Sequence, residues 1–157
     1  MEQSALFIPL SSLDGAFPWL ITIGNNCRIT VNVIILYHDA STMACLGYTK
    51  IGKVEIGDNV FIGSGTVILP NSHIGNNVVI GAGSVVSGDI PDNSVAVGTP
   101  AKVVQSIDEF TSLHRNKIEK GSCFTKLGFT INNGITEENK RIMKNKVKNK
   151  IAYIRVN

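Results

Sequence analysis

One histidine lies beside an aspartate in a segment that is otherwise rich in aliphatic residues. His38 and Asp39 belong to the sequence LYHDAS at residues 36–41. A neutral imidazole, whose pKa is ordinarily about 6.5, suits proton removal near neutral pH, so His38 is a candidate general base. A carboxylate such as that of Asp39 can orient an imidazole. Adjacent residues of a strand point to opposite faces, however, which favours the alternative that Asp39 only begins a loop.

The surrounding sequence repeats every six residues. From residue 56 the chain reads IGDNVF, IGSGTV, ILPNSH, IGNNVV, IGAGSV and VSGDIP, and the block IGNNCR, ITVNVI, ILYHDA from residue 23 has the same frame. On a helix every sixth residue would spiral around the axis, whereas on a strand, whose period is two, it faces the same side. Each hexad is therefore predicted to be a short strand and a turn. Such units bury their apolar face only by stacking in successive coils.

The hexad [LIV]-G-x-x-x-x resembles the repeat of the left-handed parallel β-helix acyltransferases. The segments PWLITIGNNCRITVNVIILYHDAS, IGDNVFIG and VIGAGSVVSGDIPDNSVAVGTPAKVV are similar to the galactoside and maltose O-acetyltransferase-like branch, over about residues 12–108. That branch includes enzymes that acetylate sugars of capsules and O-antigens. The resemblance implies an all-β fold in which three hexads form one coil, so that Ile56 stacks under Ile74, Ile62 under Ile80 and Ser64 under Ala82. The left hand is implied by the family alone, since it opposes the usual right-handed crossover.

The repeat is interrupted once, directly after His38. Ile35 and Ile56 are 21 residues apart, three more than one coil of the family, so we expect a loop excursion near residues 40–55. Relatives extrude a loop close to the catalytic histidine in the same way. We predict a β-helix domain over residues 1–105 and a basic, mainly helical C-terminal extension over residues 106–157.

Charge is distributed unevenly along the chain. Residues 1–110 contain four basic and nine acidic side chains, whereas residues 111–157 contain eleven basic and three acidic ones. The segment ITEENKRIMKNKVKNKIAYI reads as a helix with Thr136 as N-cap and an apolar stripe, which contains Met143, Val147, Ile151 and Ile154. Such a stripe usually packs on the protein or on a neighbouring subunit, and weak association with a membrane surface is the alternative. The positive charge would equally attract an anionic polysaccharide or a nucleotide-linked sugar.

The resemblance implies acetyl-CoA as co-substrate and a sugar hydroxyl as acceptor. His38 matches the family's general base, and the acetyl group would pass directly to the hydroxyl because the thioester is already activated. The oxyanion of the tetrahedral intermediate would be held by backbone N–H groups. Asp14, in SLDGA, matches an acceptor-binding aspartate, although a turn aspartate before glycine explains it equally well. Asp39 is the second candidate for acceptor binding.

Positions that contact the coenzyme in relatives match Ser64, Ala82, Ser87, Gly88 and Lys102. Gly63, beside Ser64, is a further candidate because small residues let the pantetheine arm approach the backbone. Relatives commonly carry Thr-Lys where this chain has Ser87-Gly88, so a positive charge is missing unless another basic residue replaces it. Phe61 occupies a position where relatives often carry Trp. For Ser64 and Ala82, packing between coils is the competing explanation.

The family also implies a homotrimer, with His38 from one subunit and part of the coenzyme wall from the next. No apolar run approaches the roughly 18 residues of a membrane helix, and MEQSALFIPL has neither a basic start nor a cleavage site. Cys27, Cys45 and Cys123 have no metal-binding or redox spacing and read as free thiols. We therefore expect a cytoplasmic protein without a metal site and without a nucleic-acid partner.

Four other functions compete with sugar O-acetylation. An N-acetyltransferase of a nucleotide-linked amino sugar would often carry an N-terminal nucleotide-binding domain, and serine acetyltransferase a long helical one, for which we expect no room. A β-helix carbonic anhydrase needs three histidines around its metal, and the predicted β-helix contains only His38 and His73. A non-catalytic β-helix scaffold stays open as the fourth alternative, because only about a dozen residues precede the LDGA segment, where relatives usually have more.

Overall fold

The computed structural model describes residues 6–7, 12–13, 17–121, 123–124 and 128–155. The chain forms two compact units, Met1–Phe110 and Thr111–Asn157. The strands of the first unit are β1 (Leu6–Phe7), β2 (Ser12–Leu13), β3 (Ile21–Ile23), β4 (Arg28–Ile29), β5 (Ile34–Ile35), β6 (His38–Asp39), β7 (Lys50–Ile51), β8 (Val54–Ile56), β9 (Phe61–Ile62), β10 (Val67–Ile68), β11 (Ser72–Ile74), β12 (Val79–Ile80), β13 (Val85–Val86), β14 (Asp89–Ile90), β15 (Ser94–Gly98) and β16 (Ala101–Ser106). Its helical segments are two 3-10 turns, Pro18–Leu20 and Ala40–Thr42, and the short helix α1 (Met43–Leu46).

Successive strands of the repeat enter three parallel sheets in turn. The first sheet has the order β1-β4-β9-β12-β15, followed by antiparallel β16; the second is β13-β10-β5-β2 and the third β14-β11-β8-β3. Residues 18 apart are paired in all three, as in Phe61 with Val79, Val67 with Val85 and Val54 with Ser72. The predicted stacking of Ile56 with Ile74 and of Ile62 with Ile80 is confirmed.

The first residue of each hexad faces the core. Ile56, Ile62, Ile68, Ile74 and Ile80 are all buried, at 2% exposure or less. The position two residues earlier is buried as well, and it is occupied either by valine or by a small hydroxyl residue. A buried hydroxyl needs a hydrogen-bond partner, and the turns of the coil provide one. Ser84 Oγ donates to the carbonyl oxygen of Gly81 at 2.7 Å, and Ser72 Oγ donates to that of Leu69 at 2.7 Å.

Asparagines stack at the turns that lead from the third sheet to the first. Asn26, Asn59, Asn77 and Asn93 all have positive φ, between 54° and 58°, a conformation that asparagine tolerates better than most residues. Their side chains form a ladder in which each Nδ2 donates to the Oδ1 of the next, at 2.7, 3.2 and 2.9 Å. This ladder holds consecutive coils in register on the outside, while the aliphatic column holds them on the inside.

The excursion begins where the sequence predicts but is longer than expected. β6 and β7 form an antiparallel hairpin, with His38 opposite Ile51, and the 3-10 turn and α1 lie between them. Arg28 pairs with Phe61, an offset of 33 residues against 18 in the next coil, so the excursion adds fifteen residues. The expected surplus of three was wrong because Ile35 and Ile56 do not stack. They lie in the second and third sheets, one hexad apart around the coil.

The second unit contains the end of helix α2 (Ile107–Lys120), the parallel strands β17 (Cys123–Phe124) and β18 (Tyr153–Ile154), a 3-10 turn (Ile131–Asn133) and helix α3 (Glu137–Lys146). The Thr136 hydroxyl accepts from the backbone N–H of Asn139 at 3.2 Å, which confirms the predicted N-cap. Among the described residues, no helix combines the length and the apolar character that crossing a bilayer requires.

The predicted apolar stripe of the C-terminal helix is wrong. Helix α3 ends at Lys146, with Val147 as C-cap, so its face cannot include Ile151 or Ile154. Ile154 lies in β18 instead, and Ile151 is 83% exposed. The sequence after Lys146 contains four β-branched residues and two asparagines, which have weaker helix propensity than alanine or leucine. The continuous amphipathic surface on which the membrane alternative rested is therefore absent from this described segment.

Candidate active site

His38 lies where the chain leaves the stacked coils. The backbone before it is fixed, because the Leu36 N–H donates to the Ile68 carbonyl at 2.8 Å and the Gly52 N–H donates to the Tyr37 carbonyl at 2.8 Å. The Tyr37 side chain is fully buried, and its ring centroid is 6.0 Å from that of Phe17 and 5.7 Å from that of His38. The imidazole is half-buried on this aromatic wall. A rigid backbone with a partly accessible ring is what a general base requires.

The Asp39 side chain contacts residues of the excursion. Its carboxylate pairs with the Lys50 ammonium across the β6–β7 hairpin and accepts a hydrogen bond from the Ser41 backbone N–H at 2.8 Å. These contacts, first Lys50 and then Ser41, lower the pKa of Asp39 to about 2, so it is ionised near neutral pH. In these contacts the carboxylate caps the 3-10 turn and closes the hairpin, as the loop interpretation expects. Asp14, the other acceptor-binding candidate, lies outside the described residues.

Three of the coenzyme-binding candidates stack at one corner of the coils. Gly63, Ser64 and Ala82 lie in the turns from the first sheet to the second, and the Gly83 N–H donates to the Ser64 carbonyl at 2.8 Å. Ser64 and Ala82 have exposed side chains, so their small size leaves the backbone of both turns accessible. Gly63 differs, because a Cβ there would come within 2.4 Å of the Ala82 backbone nitrogen. The close approach of the next coil is sufficient reason for a glycine at position 63.

Ser87 and Gly88 lie at a different corner, in the turn from the second sheet to the third. The chain leaves the coils for the excursion at this same corner, since Ile35 pairs with Ile68 and Ile68 with Val86. The coil is two residues shorter here, because His73 pairs with Asp89, an offset of 16 residues. Gly88 has a φ of +90°, and a Cβ at this position would meet open space.

Lys102 lies apart from both corners. It belongs to β16, which turns back antiparallel along the first sheet and pairs Lys102 with Val97. Its side chain is exposed. Within one chain the structure therefore divides the predicted site residues among three places. These are the corner of Ser64 and Ala82, the corner of His38, Ser87 and Gly88, and the edge strand.

Lys53 is a basic residue that the sequence did not single out. It precedes β8, and the pairing of Val54 with Ser72 and of His73 with Asp89 stacks positions 53, 71 and 87 at the corner of Ser87 and Gly88. A cavity of about 260 Å³ beside this corner is lined by Lys53, Glu55, Asn71, Ser72, His73 and Asp89. The cavity thus combines one lysine with two carboxylates. Only the register in which the coils stack identifies Lys53 as a residue of this corner. The length of the excursion, which sets that register, was misjudged from the sequence.

The described residues contain no group of three or more His, Cys, Asp or Glu side chains arranged to hold a metal ion. Cys27 is buried, and this burial raises the pKa of its thiol. Cys45 is exposed and Cys123 is partly exposed, and all three are free thiols.

Known proteins resemble this chain over the repeat. Residues 53–88 match the bacterial transferase hexapeptide family, a model of six repeats. Protein CapG of Staphylococcus aureus is 44% identical over 119 residues, which cover 73% of this chain and 67% of that protein. A maltose O-acetyltransferase from Clostridium difficile 630 is 46% identical, with a TM-score of 0.51 over 55% of this chain and 48% of that chain.

Two further structures carry acyl-transfer ligands. A galactoside acetyltransferase in complex with coenzyme A is 40% identical, with a TM-score of 0.53 over 59% of this chain and 48% of that chain. AntD, an N-acyltransferase from Bacillus cereus in complex with dTDP and 3-hydroxybutyryl-CoA, is 26% identical, with a TM-score of 0.51 over 64% of this chain and 59% of that chain. The chain spans about half to two thirds of the length of these relatives.

Proposed function

The chain belongs to the hexapeptide-repeat transferase family, and we propose that it is an acetyl-CoA-dependent O-acetyltransferase that acts on a sugar hydroxyl. The observation that carries the proposal is the position of His38, half-buried on a fixed backbone at the start of the excursion. The coils wind with the left hand of the family. The enzyme works in the cytoplasm on a polysaccharide or its precursor, and Asp14 and Asp39 contact the acceptor.

In this mechanism His38 removes the proton from the acceptor hydroxyl as the oxygen attacks the thioester carbonyl. The new C–O bond forms a tetrahedral intermediate, whose oxyanion is held by backbone N–H groups. Collapse of the intermediate breaks the C–S bond, and the departing thiolate takes the proton from the His38 imidazolium. The reaction needs no enzyme nucleophile, because the thioester is already an activated acyl donor.

The division of the site residues between corners supports a site shared by two subunits. Ser64 and Ala82 leave the backbone accessible along one corner, whereas His38, Ser87 and Gly88 lie along another. A coenzyme that contacts both groups does so where the corner of one chain faces the other corner of its neighbour, as in a homotrimer. Lys102 and Lys53 then provide positive charge for the phosphates, and Lys53 replaces the charge that Gly88 lacks.

One comparison favours a second candidate function. A variant of AntD, 27% identical to this chain with a TM-score of 0.50, was solved with dTDP-4-amino-4,6-dideoxyglucose and coenzyme A. The same arrangement of coils therefore serves acylation of an amine on a nucleotide-linked sugar in that protein. The two functions share an acyl-coenzyme A donor, and they differ in the acceptor atom.

Thiol release from acetyl-CoA, followed with a colorimetric thiol reagent, tests the proposal over galactosides, glucosides, amino sugars, nucleotide-linked sugars and serine. We expect release that depends on a hydroxyl acceptor and falls by about a hundredfold or more in His38→Ala, the scale for loss of a general base. Coenzyme A binding should persist in this variant, which controls for folding, and added imidazole should partly restore the rate.

The outcomes separate the candidates. Release with amino sugars alone, with the acetyl group found on the amine of the product, would replace O-acetylation by N-acetylation. Full activity of His38→Ala would remove His38 as the base. Failure to bind coenzyme A in the unmodified protein would contradict acyl transfer altogether and leave a scaffold.

A further inference from the structure

A cavity of about 490 Å³ lies within the second unit, and acyl transfer as proposed above does not use it. It is lined by His114, Lys117, Lys120, Gly121, Ile151 and Tyr153. Two of these residues are lysines and one is a histidine, and none of the described lining residues is acidic. The unit around it holds eleven basic and three acidic side chains, so its field attracts anions at long range.

One wall of the cavity is built by helix α2. His114, Lys117 and Lys120 recur every third residue, and this spacing brings them onto neighbouring parts of the helix surface. Both lysines are exposed, and no carboxylate of the described residues forms an ion pair with either. Their ammonium groups are therefore available to a ligand. The two lysines are neighbours on one helix face, so both ammonium groups can contact one ligand that carries more than one negative charge.

The wall formed by Ile151 and Tyr153 is held against helix α2 by a polar contact. The Tyr153 hydroxyl and the His114 Nδ1 are 2.8 Å apart, and the two rings meet edge to face with centroids 6.0 Å apart. Tyr153 is fixed in turn by β18, which pairs it with Cys123. The Tyr153 ring and the exposed Ile151 side chain give this wall an apolar surface beside the lysines. Such a surface suits an organic group attached to an anion.

Lysines in the last turn of a helix also stabilise the helix dipole, and Lys117 and Lys120 have that role in α2. Dipole stabilisation alone requires neither a cavity beside the lysines nor a tyrosine positioned against it by a histidine. We infer that this cavity is a binding site for a diphosphate ester, separate from the coenzyme site. Lys117 and Lys120 contact the phosphates, and Tyr153 and Ile151 contact the attached group.

The test is a calorimetric titration of the full chain with inorganic pyrophosphate and with UDP, in the absence and in the presence of saturating coenzyme A. The double variant Lys117→Ala/Lys120→Ala should weaken the binding of both by about tenfold or more, the scale of lost charge-assisted hydrogen bonds. The matched control is Lys144→Ala/Lys148→Ala, which removes the same charge from exposed positions of the same unit that do not line the cavity. Its affinity should fall by less than about twofold. Pyrophosphate should also shift the ring signals of His114 in the NMR spectrum.

Four results would overturn the assignment. Equal weakening of ligand binding in both double variants would show that the net charge of the unit, and not the cavity, causes the binding. Binding only to phosphatidylcholine vesicles that contain phosphatidylglycerol, and to neither small diphosphate, would identify a lipid surface instead. Competition by coenzyme A would mean that the coenzyme itself fills the cavity. Absence of pyrophosphate binding, with His114 unshifted, would leave no diphosphate site. Because none of these readouts measures acyl transfer, they do not depend on the proposed function.

Discussion

Replacement of Gly63 by alanine tests whether this glycine is required by coil stacking or by the coenzyme. The added Cβ would lie 2.4 Å from the Ala82 nitrogen, 2.8 Å from the Ala82 Cα and 2.9 Å from the Gly81 carbonyl carbon. All three are backbone atoms, so no side-chain rotation relieves the contact and the coils must separate locally. The neighbouring Gly65 offers a matched control. It has a φ of +71°, and a Cβ there meets no atom within 4 Å.

The two substitutions therefore differ in the physical cost that they impose. Gly65→Ala adds only left-handed backbone strain, about 1–2 kcal/mol. Gly63→Ala adds an overpacking term at the upper end of the usual range of about 1–3 kcal/mol, or beyond it. We expect urea denaturation to show a loss in the free energy of unfolding that is at least about 1 kcal/mol larger for Gly63→Ala. If Gly63→Ala is as stable as Gly65→Ala but binds coenzyme A much more weakly, the stacking argument is refuted and Gly63 is a coenzyme residue.

Two further predictions concern charge at the excursion and at the corner beside it. The contacts of Asp39 lower its pKa to about 2, from the ordinary aspartate value of about 3.9 in the unfolded chain. The ionised carboxylate therefore stabilises the folded hairpin fully at pH values above about 3.9. This stabilisation is lost as the pH falls through about 2. Lys50→Gln should raise the pKa of Asp39 in an NMR titration and Lys53→Gln should not; an unchanged pKa in Lys50→Gln would contradict the assigned cause. Lys53→Ala should weaken coenzyme A binding up to about fivefold, the scale of one exposed ion pair, whereas Glu55→Gln in the same cavity should tighten it. Equal effects of both variants would exclude an electrostatic role for this cavity.

The stacked coils were predictable because the repeat reports on packing directly. An even period of six places the same side chain on the same face of every strand, so one aliphatic residue per hexad is enough to indicate a continuous core. The hydroxyls of Ser72 and Ser84 fit the same column, since the turns offer them carbonyl acceptors. The position of the excursion was equally visible, because the hexads stop after Ile35 and resume at Ile56.

Features that depend on register or on weak local preferences were not predictable in the same way. The length of the excursion depends on which sheet receives the next strand, and a gap in a repeat does not reveal this. Lys53 was missed for that reason, since its corner is defined only once Val54 is known to pair with Ser72. The C-terminal helix was extended too far because apolar spacing continued past Lys146, although the chain turns there and later forms β18.

Some of the residues proposed for catalysis or coenzyme binding lie within the regular repeat, and others lie where the repeat is interrupted. His38 begins the excursion, Ser87 and Gly88 form the turn that is two residues short, and Lys102 lies on the strand that reverses along the first sheet. At these places the stacking of coils does not dictate the residue type, since Gly88 faces open space and His38 leaves the core column. Gly63 lies within the regular repeat, and the close approach of the next coil is sufficient to explain a glycine at this position. A repeat protein thus gives the most specific functional signal where its repeat is interrupted, and the proposal of catalysis by His38 therefore has stronger support than that of coenzyme binding by Gly63.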